Sequence, residues 1–261
     1  VSLAAAPVGE ILNWNFIAAF ALGIAVTWLM TGLAGRFLFA DDLAGSAMRS
    51  VIASYGNNGY LGIPLAAAAF GAPAVVPASL SVLINSVLIM TGAVLILETA
   101  RARASGGALK NTAKVLVTNP LLWAVLIGLL LSAAGADLPV SIERLLDPLG
   151  QAAAPAALIA IGLFLSGRPV RSLLASAALS SVAKLAVFPI VAWLLTHFLF
   201  PLDPLWTMVL VLMAGMPVGA NAFIIAGHYG VRLADVSAAI VLTTAISLVS
   251  LSLMLILMTG G

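Results

Sequence analysis

Residues 54–71 read SYGNNGYLGIPLAAAAFG, and this stretch decides how the rest of the chain is read. It lies in a sequence of 261 residues of which 63% are hydrophobic and only 8% charged, with a mean hydropathy of +1.20. So few charges do not cover a soluble domain of that length, and the repeated apolar runs of about 20 residues are membrane spans. The runs are long and continuous rather than short and alternating, which excludes an outer-membrane barrel. A helix facing lipid has no use for Asn57 beside Asn58, for Gly56, Gly59 and Gly62, or for Pro64. Proline removes an intrahelical hydrogen bond and clashes with the preceding turn, so the stretch predicts a span unwound near mid-depth.

Hydropathy marks eight spans, roughly 14–35, 48–70, 74–97, 115–134, 148–166, 172–199, 205–227 and 235–258. Residues 100–114 form the one longer basic linker. The connections hold nearly all the charge, and they hold it unevenly. Arg36, Arg49, Arg101, Arg103, Lys110, Lys114, Arg168, Arg171 and Arg232 fall on one side; Arg144 falls on the other and Lys184 inside a span. The bias places the basic loops in the cytoplasm and both termini of this chain outside. Because the basic residues flank spans, the alkaline pI near 9.3 is no sign of nucleic-acid binding. The absence of cysteine removes disulfides, thiol chemistry and thiolate metal sites.

The opening stretch has a counterpart. Residues 213–230, MAGMPVGANAFIIAGHYG, again place a proline (Pro217) near mid-span, with Gly215 and Gly219 close by and Asn221 about one turn on. Two interrupted spans in matching positions are the sequence pointer to a transporter site made by inverted repeats. They are the second and seventh spans, so the repeat unit is five helices, and an odd unit inverts its second copy in the membrane. The expected organisation is residues 1–99 as the end of a first repeat, with its crossover helix at 48–70. A cytoplasmic linker follows at 100–114, then a complete second repeat at 115–261 with its crossover helix at 205–227. That arithmetic also expects two helices ahead of Val1. The fold class is an all-α polytopic membrane protein with two crossed broken helices.

Such a crossing is an anion site without a charged side chain. The half-helix after each break starts at mid-depth with free N–H groups and the positive end of a dipole, and Pro64 and Pro217 suit its first position. Neither broken span has an acidic or basic residue in its interior, so a small carboxylate is the natural guest. Asparagine amides can donate to it or cap the broken ends. The expected binding set is Asn57, Asn58, Gly62, Pro64, Pro217 and Asn221. Lys184, about twelve residues from the cytoplasmic end of its span, is too deep to snorkel and marks a functional position. Freed helix carbonyls, the substrate anion or a helix outside this sequence are its possible partners. Asn85 and Gln151 are further candidates for the pathway.

The motifs resemble a known family. GNNGYLGIPLAAAAFG (56–71) looks like the signature of bacterial auxin-efflux-carrier-type transporters, and MPVGANAFIIAGHYG (216–230) resembles their second broken helix. TNPLLWAVLIGLLLS (118–132) and KLAVFPIVAWLL (184–195) are similar to the helix opening the second repeat and to the one before the second crossover. The resemblance implies a ten-helix fold related to PIN-type auxin carriers, bile-acid/sodium symporters and sodium/proton antiporters, and substrates such as auxin-like acids, malonate and related carboxylates. It also implies that Asn57 lines the site. The reading is then a secondary transporter of small organic anions, not an enzyme, with the bilayer and a carboxylate as partners. It has no cofactor beyond a coupling cation of unassigned identity, and a homodimer is left open. A sodium-coupled symporter of the same fold is the alternative. An intramembrane enzyme lacks its dyad, metal set or nucleophile here, and a channel would leave the paired interruptions unexplained.

Overall fold

The computed structural model describes residues 13–104, 139–165 and 177–259, with isolated positions between 123 and 134. The described residues are helical throughout, and the two interruptions are where the sequence placed them. Helix α1 (Trp14–Leu38) leads into α2 (Leu43–Ser54), which stops at Tyr55. The chain resumes with a π-turn (Asn58–Gly62) and α3 (Ile63–Phe70). Helix α4 (Val75–Asn85) continues through a second π-turn (Ser86–Met90) into α5 (Thr91–Ala104). After α6 (Val140–Leu165) come α7 (Ala177–Phe198), which carries a π-turn at Ala183–Val187, and α8 (Pro204–Ala214). The second interruption separates α8 from α9 (Asn221–Tyr229), and α10 (Leu233–Thr259) closes the chain.

Four continuous stretches, Trp14–Leu38, Ala72–Arg101, Ala177–Phe198 and Leu233–Met258, are long and apolar enough to cross a bilayer unbroken. The two interrupted spans do so only as pairs of half-helices. The expected span at 148–166 is the apolar part of a longer helix that starts at Val140, because hydropathy marks the part in hydrocarbon and not the turns that project beyond it. The linker at 100–114 lies outside the described residues from residue 105 on, and so does most of the span at 115–134.

The interrupted units share their punctuation. Asp42 caps α2 by accepting from Gly45 N–H at 2.7 Å, and Asp203 caps α8 by accepting from Trp206 N–H at 3.1 Å. Both second halves end at a glycine with positive φ, Gly71 at 82° and Gly230 at 68°, where a side chain would be strained. Rings pack α1 against α8 and α7: Phe16 lies 5.3 Å from Trp206 and Phe20 lies 5.6 Å from Phe188, centroid to centroid. Helices α1 and α2 approach closely over small residues, where a Cβ on Gly32 would stand 3.1 Å from Ser50 Oγ.

At the loop end of this assembly lies a buried ion cluster that hydropathy alone would assign to solvent. Asp41 pairs with Arg49 at 2.9 Å and with Arg232, which also holds Asp235. The Asp41 and Arg49 side chains are each 4% exposed, and the guanidinium of Arg49 lies 4.2 Å above the Phe39 ring. Asp41 thus ties the loop before α2 to the loop before α10. Nearby, Glu98 accepts from the Tyr229 hydroxyl at 2.8 Å.

Two adjacent aspartates should therefore behave differently. Asp41→Asn leaves two arginines facing an uncharged amide in a buried site and should cost about 3 kcal/mol or more. Asp42→Ala removes one helix cap and should cost about 1 kcal/mol. Melting of the two variants in detergent checks the ranking; equal losses would mean the cluster is no more than a surface ion pair.

Candidate functional site

The two interruptions meet. Asn57 N–H donates to Pro217 C=O at 2.8 Å and Gly219 N–H donates to Tyr55 C=O at 3.0 Å, making a one-residue antiparallel bridge between Gly56 and Val218. Each unwound segment so supplies the backbone partner that the other lost. The helix that follows each break completes the pairing: Asn85 of α4 donates its amide to Gly56 C=O at 3.2 Å, and Thr243 Oγ1 of α10 accepts from Val218 N–H at 3.0 Å. The carbonyls ending α8 are accounted for as well. Val211 and Leu212 accept from Gly215 N–H, Met213 accepts from Met216 N–H, and Ala214 accepts from the Lys184 ammonium at 2.5 Å.

The prolines do not start the half-helices. Asn58 opens the first, four residues after α2 ends at Ser54, and Pro64 sits in the first turn of α3 behind the π-turn. With its N–H missing, Pro64 forms no bond back into that turn, and Ile63 N–H reaches five residues back to Asn58 C=O. The second half-helix starts at Asn221, and Pro217 is part of the extended bridge. An extended strand residue that only accepts a hydrogen bond is a place where proline costs nothing.

A cavity of about 620 Å³ opens on the N-terminal ends of the two second halves. Asn57, Asn58, Asn85 and Asn221 line it, together with Tyr55 and Asp147. Asn221 donates to the Tyr55 hydroxyl at 2.9 Å, and Asn58 donates to Ser81 Oγ at 3.3 Å. Asn58 and Asn85 are each 2% exposed, yet the side-chain oxygen of each has no hydrogen-bond partner. Such an acceptor is a latent contact for a donor or cation. Four of the expected residues stand outside this lining. Gly62 packs the crossing, since a Cβ there would stand 2.8 Å from the Met213 thioether. Pro64 and Pro217 shape the backbone, and Lys184 is fully buried behind the bridge. Gln151 lies on α6 one turn beyond Asp147, and its side chain is outside the described part of the structure.

Tyr55, Ser81, Thr243 and Asp147 were not expected from the sequence. Tyr55 lies one residue ahead of the glycine-asparagine motif, and a lone serine or threonine in an apolar helix carries no distinguishing signal. Asp147 has the look of a loop charge beside Pro148, and only the position of α6 brings it to the cavity.

Comparison with known proteins places the chain in a transporter family. Residues 3–255 match the family described as membrane transport protein. The chain belongs to the auxin efflux carrier family of membrane transporters. A protein of Rhizobium meliloti (strain 1021) named "Putative malonate transporter" is 30% identical over 98% of this chain and 80% of its own length. An uncharacterized transporter of Methanothermobacter thermautotrophicus is 33% identical over 78% of this chain and 65% of its own. This auxin efflux carrier family member is accordingly an integral membrane transporter and not an enzyme.

The glycines around the cavity should separate in their tolerance. A Cβ on Gly56 would lie 2.2 Å from Asn58 Oδ1, whereas one on Gly59 meets only Val82 Cγ1 at 3.9 Å. Gly56→Ala should lower the melting temperature by displacing the Asn58 amide, at about 1–3 kcal/mol of overpacking, and Gly59→Ala should leave it unchanged. Thermal melting of both purified variants decides this, and an unaffected Gly56→Ala would mean that the Asn58 amide is not packed against Gly56.

Proposed function

We propose that this carrier moves small organic anions, mono- or dicarboxylates, across the bacterial inner membrane by alternating access. Its two broken helices cross near mid-depth and belong to inverted five-helix repeats, and the carboxylate is held at the crossing. The observation that carries this reading is the cavity itself. It is floored by two half-helix N-termini and lined by four asparagines, Asn57, Asn58, Asn85 and Asn221, with no basic side chain among the described residues. Freed N–H groups and the positive ends of two helix dipoles favour an anion there, and asparagine amides give directional contacts to its oxygens. The shared punctuation of the two interrupted units supports the repeat, and the name of the Rhizobium relative supports malonate as the first substrate to try.

Asp147 lines one wall of the cavity, where its charge repels an anion and turns a carboxylate guest toward the asparagines at the half-helix ends. Basic loops in the cytoplasm put that wall on the outer side, so the cavity is the outward-facing half of the pathway.

Uptake of radiolabelled malonate, succinate and indole acids into proteoliposomes tests the reading. Asn57→Ala and Asn221→Ala should each lower uptake by about tenfold or more, the weight of one hydrogen bond to a charged group, while expression and melting stay near wild type. Normal transport by both variants would remove the crossing as the binding site.

A further inference from the structure

We infer that the guest of the cavity is a carboxylate monoanion that also carries a hydrogen-bond donor, and that Asp147 is the residue that selects it. A dicarboxylic acid would therefore cross in its half-protonated form. The inference rests on the carrier reading above and specifies which acids it admits.

Asp147 is half-buried on α6 and lines the cavity. Among the described residues no cation pairs with it. The titratable side chains that line the cavity beside it are Tyr55 and Tyr60, and Glu143 and Arg144 precede it on its own helix. Helices α9 and α10 pack against α6. Helix α9 reaches the cavity with Asn221, at the opposite end from His228 and Tyr229. Helix α10 carries its one acid, Asp235, in its first turn, where Arg232 holds it. Asp147 is thus the one charged group at the cavity among the described residues, and it is an acceptor.

Two further acceptors stand open. Asn58 and Asn85 line the cavity, are each 2% exposed, and leave their side-chain oxygens without a partner. Their orientations are fixed by what their amide N–H groups meet. Asn85 donates to Gly56 C=O, which can only accept. Asn58 donates to Ser81 Oγ, whose own proton goes to Ala78 C=O at 2.7 Å. Turning either amide over would set two acceptors face to face, so both oxygens remain acceptors.

A guest with nothing but carboxylate oxygens satisfies half of this site. One carboxylate takes the freed N–H groups and the asparagine amides. A second would face Asp147 and the open amide oxygens, where like charges repel and lone pairs meet. A protonated carboxyl, an amide or a hydroxyl at the same place donates instead, and an O–H or N–H given to a carboxylate makes a short, charge-assisted bond. The two ends of the cavity thus read the two ends of the guest in opposite roles. With a half-protonated dicarboxylic acid the proton stays on the guest, Asp147 only accepting its hydrogen bond. It is released when the second carboxyl ionises on the far side, and no proton passes through the protein.

Uptake of radiolabelled malonate into proteoliposomes, at equal pH on both sides, tests this with malonamate and monomethyl malonate as competitors. Both competitors are monoanions of nearly the same shape, and only malonamate has N–H groups opposite its carboxylate. Malonamate should compete about tenfold more tightly or better, the weight of one hydrogen bond to a charged group. Malonate uptake at fixed total concentration should rise as pH falls through its second ionisation. Uptake of radiolabelled malonamate, singly charged throughout that range, should show no such rise. In Asp147→Asn, whose amide donates as well as accepts, the pH dependence of malonate uptake should flatten and the preference for malonamate should shrink toward unity. Equal competition by the ester, malonate uptake that follows the dianion, or wild-type selectivity in Asp147→Asn overturns the proposal. If Asp147→Asn does not fold, the competitor pair and the pH profile of the wild type decide alone. Failure of all three acids to bind or enter refutes the carboxylate site and this proposal with it, whereas entry without discrimination refutes the proposal alone.

Discussion

Everything in this structure depends on two backbone hydrogen bonds between the interrupted apolar helices, Asn57 N–H to Pro217 C=O and Gly219 N–H to Tyr55 C=O. A helix broken in hydrocarbon exposes peptide groups that no water can satisfy, and each such group left alone costs several kcal/mol. One broken helix would need side chains for all of them. Two broken helices brought together need far fewer, because each unwound strand is a template for the other. The residual groups at the bridge, Gly56 C=O and Val218 N–H, are met by Asn85 and Thr243 from the helices that follow. Asn85 and Thr243 thus occupy corresponding places in the two units although they are different residues with opposite hydrogen-bonding roles.

Much of this was legible in the sequence, for a definable reason. Proline and glycine act on the backbone directly, so Pro64, Pro217 and the glycines around them mark the two interruptions from composition alone. Hydropathy likewise located the continuous spans within a few residues. What the sequence did not carry was the detail of the restart. Proline at the first helical position is the common arrangement, but here Asn58 begins the first half six residues before Pro64, and Asn221 begins the second four residues after Pro217. The difference arises because each proline answers to a contact outside its own segment. Pro217 is held as an acceptor in the bridge, and Pro64 follows a π-turn that lets Gly62 close on Met213.

The candidate site divides in the same way. Asn57, Asn58, Asn85 and Asn221 come together at one cavity, and amides in apolar spans are conspicuous enough to be picked out one by one. Their partners are not. Ser81 and Tyr55 are unremarkable in sequence, and they acquire meaning only when Asn58 and Asn221 are seen to bond to them. Asp41 shows the opposite error. It sits in a connection with other charges and reads as solvated, yet it is buried between Arg49 of α2 and Arg232, which is 191 residues further along the chain. Burial of loop charges follows from which loops are neighbours, and that is a property of topology rather than of local composition.

The polarity of the broken helices gives the final constraint. Every break creates a positive end and a negative end, and the two are inseparable because one peptide dipole series is cut to make both. A carrier that uses the positive ends to hold an anion must therefore do something with the negative ends at the same depth. In this chain Lys184 answers that need at α8, where its ammonium donates to Ala214 C=O, the last carbonyl of that half-helix. On this argument the absence of acidic residues from the broken spans and the presence of one deep lysine are a single feature, since an aspartate at the crossing would both repel the substrate and neutralise the cation that balances the negative ends.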